Sequence, residues 1–163
     1  MHAVALTLGL SSLALAVFPL VRPFFPFDPR TPAETLARAS RAVTSAPWLI
    51  AHYVALIGFV LPLCALPALY ARLAAAGVES RARRAMLLSG VEVALIRPTL
   101  GVELYPLPAI GRLYLDGNPA VAPLVGLIYR GAAVLVMLLG LLLLAIGAVF
   151  FARAVGKSGA LPR

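Results

Sequence analysis

The sequence is poor in charged residues. Only 12% of its 163 residues are Asp, Glu, Lys or Arg, whereas soluble domains carry about 25%. Hydrophobic residues make up 62% of the chain, against about 45–50% in soluble domains. An apolar excess of this size needs an apolar solvent, and the hydrocarbon of a lipid bilayer supplies one. The composition therefore predicts an integral membrane protein with a single transmembrane domain over residues 1–163.

Residues that carry metal, redox or nucleophile chemistry are scarce. The single cysteine, Cys64, excludes an intrachain disulfide and a Cys-x-x-Cys metal motif, and we interpret it as a small core residue. The two aspartates, Asp28 and Asp116, fall in predicted loops, and HExxH, GxSxG and phosphate-binding glycine motifs are absent from the sequence. Only His52 lies well inside an apolar run, which argues against a haem held by two histidines of this chain. The sequence predicts no metal site, leaves any cofactor unknown and disfavours an enzyme.

The net charge of +8 is compatible with two kinds of partner, nucleic acid or membrane. The Lys and Arg residues lie mostly in short segments between apolar runs, where they set membrane orientation and meet anionic lipid headgroups. No basic stripe is interleaved with aromatic residues, as it is in single-strand binders. We therefore expect the lipid bilayer as a partner, and not nucleic acid.

Four apolar runs are each long enough to cross a membrane. A helix needs about 20 residues to span a hydrocarbon core of ~30 Å, and a backbone in lipid must satisfy its own hydrogen bonds. The predicted fold is all-α, a bundle of four transmembrane helices with short interfacial helices in the loops. The expected spans are residues 3–21, 48–71, 85–105 and 123–152.

The first run has an alternative interpretation as a signal peptide. Ala14 and Ala16 form an A-x-A cleavage pattern. A signal peptide needs a positively charged segment before its apolar core, and no Lys or Arg precedes this run. A first transmembrane helix is the favoured interpretation.

The connections contain signals for short helices. Thr31-Pro32-Ala33-Glu34 resembles a capping box with proline at the first helical position. It predicts a helix that ends near Ser45 and lies on the membrane surface. A second short helix is expected at residues 109–115, before a turn at residues 116–119. One face of the first of these helices should carry Leu36, Ser40 and Val43.

Membrane orientation follows from the distribution of Lys and Arg. The side that holds both termini and the loop at residues 72–84 has seven such residues, and the other side has five, or six with Arg130. Because cytoplasmic loops carry the excess of basic residues, both termini are expected in the cytoplasm of a plasma-membrane protein. The seven residues are Arg72, Arg81, Arg83, Arg84, Arg153, Lys157 and Arg163.

Small residues recur every seven positions along the fourth run. Seven residues make nearly two helical turns, so these positions form one stripe. Small side chains let two backbones approach closely, which drives helix association in lipid. The stripe predicts a packing seam, either within the chain or in a homo-oligomer. Its members are Gly126, Ala133, Gly140, Gly147 and Ala154, and the first run has a similar face at Ala5, Gly9, Ser12 and Ala16.

Prolines interrupt two of the runs. Pro62 and Pro67 lie in the second run and Pro98 lies in the third. Each removes a backbone donor about one turn upstream. The pattern indicates either tolerated kinks or a broken helix that lines a cavity, as in transporters.

Ionisable residues inside the runs are the candidate ligand-binding residues, because charges inside a membrane are expensive. The depth of each ionisable residue is measured from the basic residue at the cytoplasmic end of its own helix, at a rise of ~1.5 Å per residue. His52, Glu103 and Arg130 lie about 28–34 Å from that end, level with Arg22 near the outer interface. Glu92 lies at about 12 Å and Arg97 at about 20 Å, both within the hydrocarbon.

These five candidates, His52, Glu92, Arg97, Glu103 and Arg130, have two interpretations. In one, the arginines reach the headgroups and the buried charges pair as a structural clasp. In the other, the third helix presents its three charged residues to a hydrated cavity, with His52 and Arg130 at the mouth. Glu92 and Glu103 are three turns apart and share a face, whereas Arg97 lies about 140° around the helix from Glu92.

Three functions remain open at this point. The leading hypothesis is a non-enzymatic membrane protein whose polar cluster binds a small ligand, an ion or a lipid headgroup, in the course of transport. The second is an accessory subunit that packs against a larger membrane partner. The third is a membrane enzyme that uses His52 and Glu103 as acid and base, which requires them to lie within hydrogen-bond reach.

Overall fold

The computed structural model describes residues 2–23, 30 and 32–159, and these residues form helices without any strand. A single 3₁₀ turn, Pro119–Val121, precedes the sixth helix. The helices are α1 (His2–Val21), α2 (Ala33–Val43), α3 (Ala46–Ala75), α4 (Glu79–Leu104), α5 (Pro106–Leu115), α6 (Ala122–Arg130) and α7 (Ala132–Ser158).

Four helical stretches are long and apolar enough to cross a membrane. Each of the four predicted runs lies inside one of them, so the all-helical class and the number of candidate spans are confirmed. The stretches are His2–Val21, Ala46–Ala75, Glu79–Leu115 and Pro119–Ser158.

The long helices form two packed pairs. Helix α1 packs along α3, and α7 packs along α4, while α3 and α4 join the two pairs. The short helices α2 and α5 pack together, and α5 lies directly after the C-terminal end of α4. We call this the Glu103 end of the bundle, because Glu103 lies in the last turn of α4.

Helix α2 is amphipathic, and the residues predicted to share one face turn inward together. Leu36, Ser40 and Val43 are all buried. Gly111 of α5 permits the close approach of the two short helices, because a Cβ there would lie 2.7 Å from Val43 Cγ2 and 3.1 Å from the Ser40 carbonyl oxygen.

The start of α2 differs from the predicted capping box. Pro32 is the N-cap residue, one position before the first helical residue, and its carbonyl accepts from the amides of Thr35 and Leu36. Thr31, the expected capping residue, lies outside the described residues. Glu34 instead pairs with Arg38 one turn later, at 2.6 Å.

The small-residue stripe of the fourth run is a seam within the chain, between α7 and α4. Gly140, Gly147 and Ala154 are buried. A Cβ on Gly140 would lie 2.8 Å from Ile96 Cγ1 of α4. Ala133 is exposed, so the seam covers the C-terminal part of the stripe alone.

The similar face predicted on the first run is not packed within the described part of the chain, and a homo-oligomer contact there stays a prediction. Ala5, Gly9, Ser12 and Ala16 are all exposed. Ser11, one position away, is the buried residue of α1, and its hydroxyl donates to the Gly58 carbonyl at 2.7 Å. Small size alone did not identify the packed face, because Gly and Ala occur all around this helix.

Three further observations depart from the sequence analysis or refine it. The last run is interrupted at Gly131, whose extended backbone (φ −85°, ψ −175°) separates α6 from α7. Helices α3 and α4 continue through Pro62, Pro67 and Pro98, as expected for tolerated prolines. Cys64 is exposed on α3 and is not a core residue.

Candidate functional site

Glu103 lies at the centre of a buried polar group, which we call the Glu103 cluster. Its carboxylate oxygen Oε1 accepts from Arg22 Nη2 at 3.0 Å and from the Tyr129 hydroxyl at 2.8 Å. Oxygen Oε2 shares a hydrogen bond of 2.7 Å with His52 Nε2. The Trp48 indole Nε1 donates to the Glu103 backbone carbonyl at 2.9 Å. One residue thus joins α3, α4, α6 and the residue that follows α1.

The hydrogen bonds of His52 fix how many protons the histidine–glutamate pair holds. Nδ1 lies 2.7 Å from the Trp48 carbonyl oxygen, which only accepts, so Nδ1 carries a hydrogen. The contact between Nε2 and Glu103 Oε2 then needs one more proton, carried by either atom, because two acceptors would repel. His52 and Glu103 therefore share one proton in this hydrogen bond.

Arg22 has aromatic neighbours as well as its carboxylate partner. Its guanidinium carbon lies 4.8 Å from the centre of the Trp48 ring and 5.7 Å from that of Phe18. Arginine above aromatic faces is attracted by the ring quadrupole. The Trp48 ring also lies 4.3 Å from the His52 ring. These contacts hold the end of α1 against α3 and α4.

The Glu103 cluster is largely satisfied from within. A carboxylate has about four acceptor positions, and three protein partners already occupy the Glu103 carboxyl group. Glu103 is 8% exposed and His52 is completely buried. Within the described residues Arg22 Nε is the one buried polar atom of the cluster without a hydrogen bond. A network this nearly satisfied is typical of a structural clasp between helices.

Glu92 lies in a different place, beside a cavity of about 360 Å³ that we call the Glu92 cavity. Helices α1, α3, α4 and α7 all contribute to its lining. Along α4, eleven residues separate Glu92 from Glu103, or ~16 Å. Both glutamates are buried on the same side of α4, as their three-turn spacing predicted. The polar residues that line the cavity are Ser11, Ser12, Ser89 and Glu92.

The Glu92 carboxyl group lacks a protein partner. Glu92 is 4% exposed, and the structure gives its side chain no hydrogen bond within the described residues; Oε2 is fully buried. A bare carboxylate in apolar surroundings is very unfavourable. The group must therefore carry a proton or bind a cation.

Two serine hydroxyls of α1 face the same cavity with their acceptor positions available. Ser11 donates its proton to the Gly58 carbonyl, and Ser12 donates to the Leu8 carbonyl at 2.9 Å. Once its proton is donated, a hydroxyl offers only lone pairs to a ligand. Ser89, on the same helix as Glu92, adds a third hydroxyl. The polar part of the lining thus favours a ligand that donates hydrogen bonds.

The two remaining candidates belong to neither the Glu103 cluster nor the lining of the Glu92 cavity. Arg97 is exposed on α4, because five residues turn it about 140° away from Glu92 and the helix continues through Pro98 without bringing it back. Arg130 is exposed at the end of α6, where it borders a second cavity of about 390 Å³ with Gly131. The five sequence candidates therefore do not form a single site, and only His52 and Glu103 are in contact.

Sequence reasoning missed two members of the Glu103 cluster and left out a third. Tyr129 and Trp48 were not among the candidates, although Trp48 lies one helical turn before His52. Arg22 was placed at the correct level but was not selected. It is Arg22, and not Arg130, that pairs with Glu103.

No protein-family model, curated protein or solved structure matches this chain. The geometry of the Glu103 cluster and of the Glu92 cavity is therefore the basis on which a function is inferred.

Proposed function

We propose that this chain is a four-span integral membrane protein that binds a small monocationic group at Glu92. One observation carries the proposal: the Glu92 carboxyl group is buried without a protein partner among the described residues, at the wall of the Glu92 cavity. Glu92 lies near the middle of α4, thirteen residues after its start, or ~20 Å along the helix. In a spanning helix this is the depth at which a charge most needs a partner.

The outer surface of the bundle supports insertion into a bilayer. Helix α7 carries an exposed row of leucines on the side away from α4. A contiguous apolar surface of this kind is unfavourable in water and is at home in lipid. We place the protein in the cell membrane, with both termini in the cytoplasm on the basis of the arginine distribution. The row includes Leu135, Leu138, Leu139 and Leu142.

The charge of the cavity favours a monovalent ligand. Among the described residues, Glu92 is the only charged side chain that lines it. One positive charge neutralises the carboxylate, whereas a divalent ion would leave an excess charge in apolar surroundings. An anion would be repelled when the carboxyl group is ionised. Binding of this kind involves no covalent chemistry, in keeping with a non-enzymatic protein.

A second candidate function uses the Glu103 cluster in acid–base catalysis. The observation in its favour is the 2.7 Å hydrogen bond between His52 and Glu103, which meets the distance that the enzyme hypothesis required. Three protein partners compete with any substrate for the Glu103 carboxyl group. The cluster therefore supports a structural role better than a catalytic one.

Labelling with dicyclohexylcarbodiimide, a lipid-soluble reagent for carboxyl groups in apolar surroundings, tests the proposal. The protein is reconstituted in lipid nanodiscs, and peptide mapping by mass spectrometry locates the label. We expect labelling at Glu92 that sodium, potassium or octylammonium chloride slows, and that magnesium chloride at equal ionic strength does not. If none of the three monovalent cations slows the labelling of Glu92, the proposal is overturned.

Matched variants make the labelling specific. Glu92→Gln should abolish the label, whereas Glu34→Gln, at an exposed residue paired with Arg38, should leave it unchanged. A label that persists in Glu92→Gln would show that another carboxyl group reacts. Proteins that co-purify with the chain report on the accessory-subunit hypothesis in the same preparation.

A further inference from the structure

The Glu92 cavity opens to the side of the bundle. Helix α1 and helix α7 both line the cavity, yet α1 packs on α3 and α7 packs on α4. Within the described residues, the two helices therefore form separate walls of the cavity and do not pack extensively against each other. Ser12 on α1 and Ala148 on α7 line the cavity and are exposed on its rim. In a membrane, this gap between α1 and α7 faces the lipid.

Most of the cavity lining is apolar. Leu15, Phe59, Leu66 and Leu144 surround the single carboxyl group and the three serine hydroxyls. A metal ion would use only the oxygen atoms and would leave this carbon surface without contacts. The volume, about 360 Å³, falls in the range of sites for small organic molecules, roughly 300–1,000 Å³. The lining thus fits an organic ligand with one charged end.

We propose that the ligand is a lipophilic primary ammonium ion that reaches Glu92 from the lipid through the gap between α1 and α7. This inference rests on the proposed function and names its ligand class. The –NH₃⁺ group has three donors and no acceptor, which matches a carboxylate beside hydroxyl groups that offer lone pairs. The apolar body of the ligand fills the space between the leucine and phenylalanine side chains.

The protonation states on both sides of this binding step balance. In the empty site Glu92 carries a proton, and the ligand crosses the lipid as the neutral amine. On binding, the carboxyl O–H bond breaks and a third N–H bond forms on the amine. The products are an ammonium ion and a carboxylate in contact, so no net charge enters the bundle.

Protection of Glu92 from dicyclohexylcarbodiimide in nanodiscs distinguishes the ligand classes. Octylammonium, methylammonium, octanol, sodium and potassium are compared over a concentration series. We expect octylammonium to protect at a concentration at least about tenfold lower than methylammonium, since burial of two methylene groups already supplies that factor. Octanol should not protect, because it lacks the charge.

The outcomes separate this inference from the proposed function. If sodium or potassium protects Glu92 at lower concentrations than octylammonium does, the ligand is not lipophilic. The proposed cation site at Glu92 would still be supported. If octanol protects Glu92 as well as octylammonium does, the inference that the ligand carries an ammonium group is overturned. Failure of every cation to protect would overturn the proposed function itself.

Variants at the rim test the lateral route. Ala148→Phe and Ser12→Phe place a ring in the gap from opposite walls, and each should slow protection by octylammonium. Ala145→Phe and Ala16→Phe are the controls, because both residues are exposed on the same helices and neither lines the cavity. Protection that is unchanged in both rim variants, or slowed equally in the controls, would overturn the route.

Discussion

His52 Nε2 lies 2.7 Å from Glu103 Oε2, although 51 residues separate the two along the chain. The hydrogen bond connects the first turns of α3 with the last turn of α4, at the end where α1 also terminates. Arg22 reaches the same carboxylate from the end of α1. Arg22 therefore adds a contact between the end of α1 and α4, beside the packing of α3 on α4 that joins the two helix pairs.

We expect Arg22 and Glu103 to be energetically coupled. Thermal or denaturant unfolding in detergent is measured for Arg22→Gln, Glu103→Gln and the double variant, which form a double-mutant cycle. The pair is partly buried at 26% and 10% side-chain exposure, so a coupling energy of about 1–3 kcal/mol is expected. Each single variant should be less stable than the parent, since it leaves a group of the cluster unpaired.

The exposed pair of Arg38 and Glu34 is the matched control for this cycle. Its side chains are 61% and 74% exposed, and exposed pairs at this helical spacing contribute only about 0.3–0.5 kcal/mol. Additive effects at Arg22 and Glu103, within the error of the control cycle, would contradict a clasp at this end of the bundle.

Gly140→Leu should disrupt the seam between α4 and α7. Even a Cβ atom at this position would lie 2.8 Å from Ile96 Cγ1 and 3.3 Å from the Glu92 carbonyl oxygen. A leucine must push the helices apart, at a cost typically of about 1–3 kcal/mol. The midpoint of thermal unfolding in detergent measures the loss.

Two substitutions serve as controls for the seam. Gly90→Leu, on the exposed side of α4, meets no atom within 4 Å at its Cβ and should not destabilise the protein. Ala145→Leu, at an exposed position of α7, should also be mild. Unfolding midpoints that fall equally in Gly140→Leu and in both controls would rule out the seam as a specific contact.

The topology proposal predicts which cysteines a membrane-impermeant thiol reagent reaches in intact cells. In a Cys64→Ala background, Ala33→Cys and Asn118→Cys should react from outside. Ala76→Cys and Gly156→Cys, at the opposite end of the bundle, should react only after the cells are permeabilised. The physical basis is the arginine excess on the side that contains Ala76. Reaction of Ala76→Cys in intact cells would reverse the orientation.

The sequence by itself determined the helices and the level of each polar residue along them. Four apolar runs of sufficient length leave helices as the only reasonable structure in lipid. Because the rise per residue is constant, counting from the basic ends placed His52 and Glu103 at one level, and they are in contact. The common face of Glu92 and Glu103 also followed from helical periodicity alone.

Tertiary structure decided which way each helix face points. In lipid the surroundings are as apolar as the interior, so hydropathy does not distinguish a packed face from an exposed one. For that reason sequence alone does not select Arg22 over Arg130 as the partner of Glu103. It also does not reveal that Ser11 is buried while Ser12 is exposed. Whether the polar residues form one site or two depends on the rotation of each helix about its axis. That rotation is fixed only when particular residues pack across a helix contact, as Ile96 does against the bare backbone of Gly140.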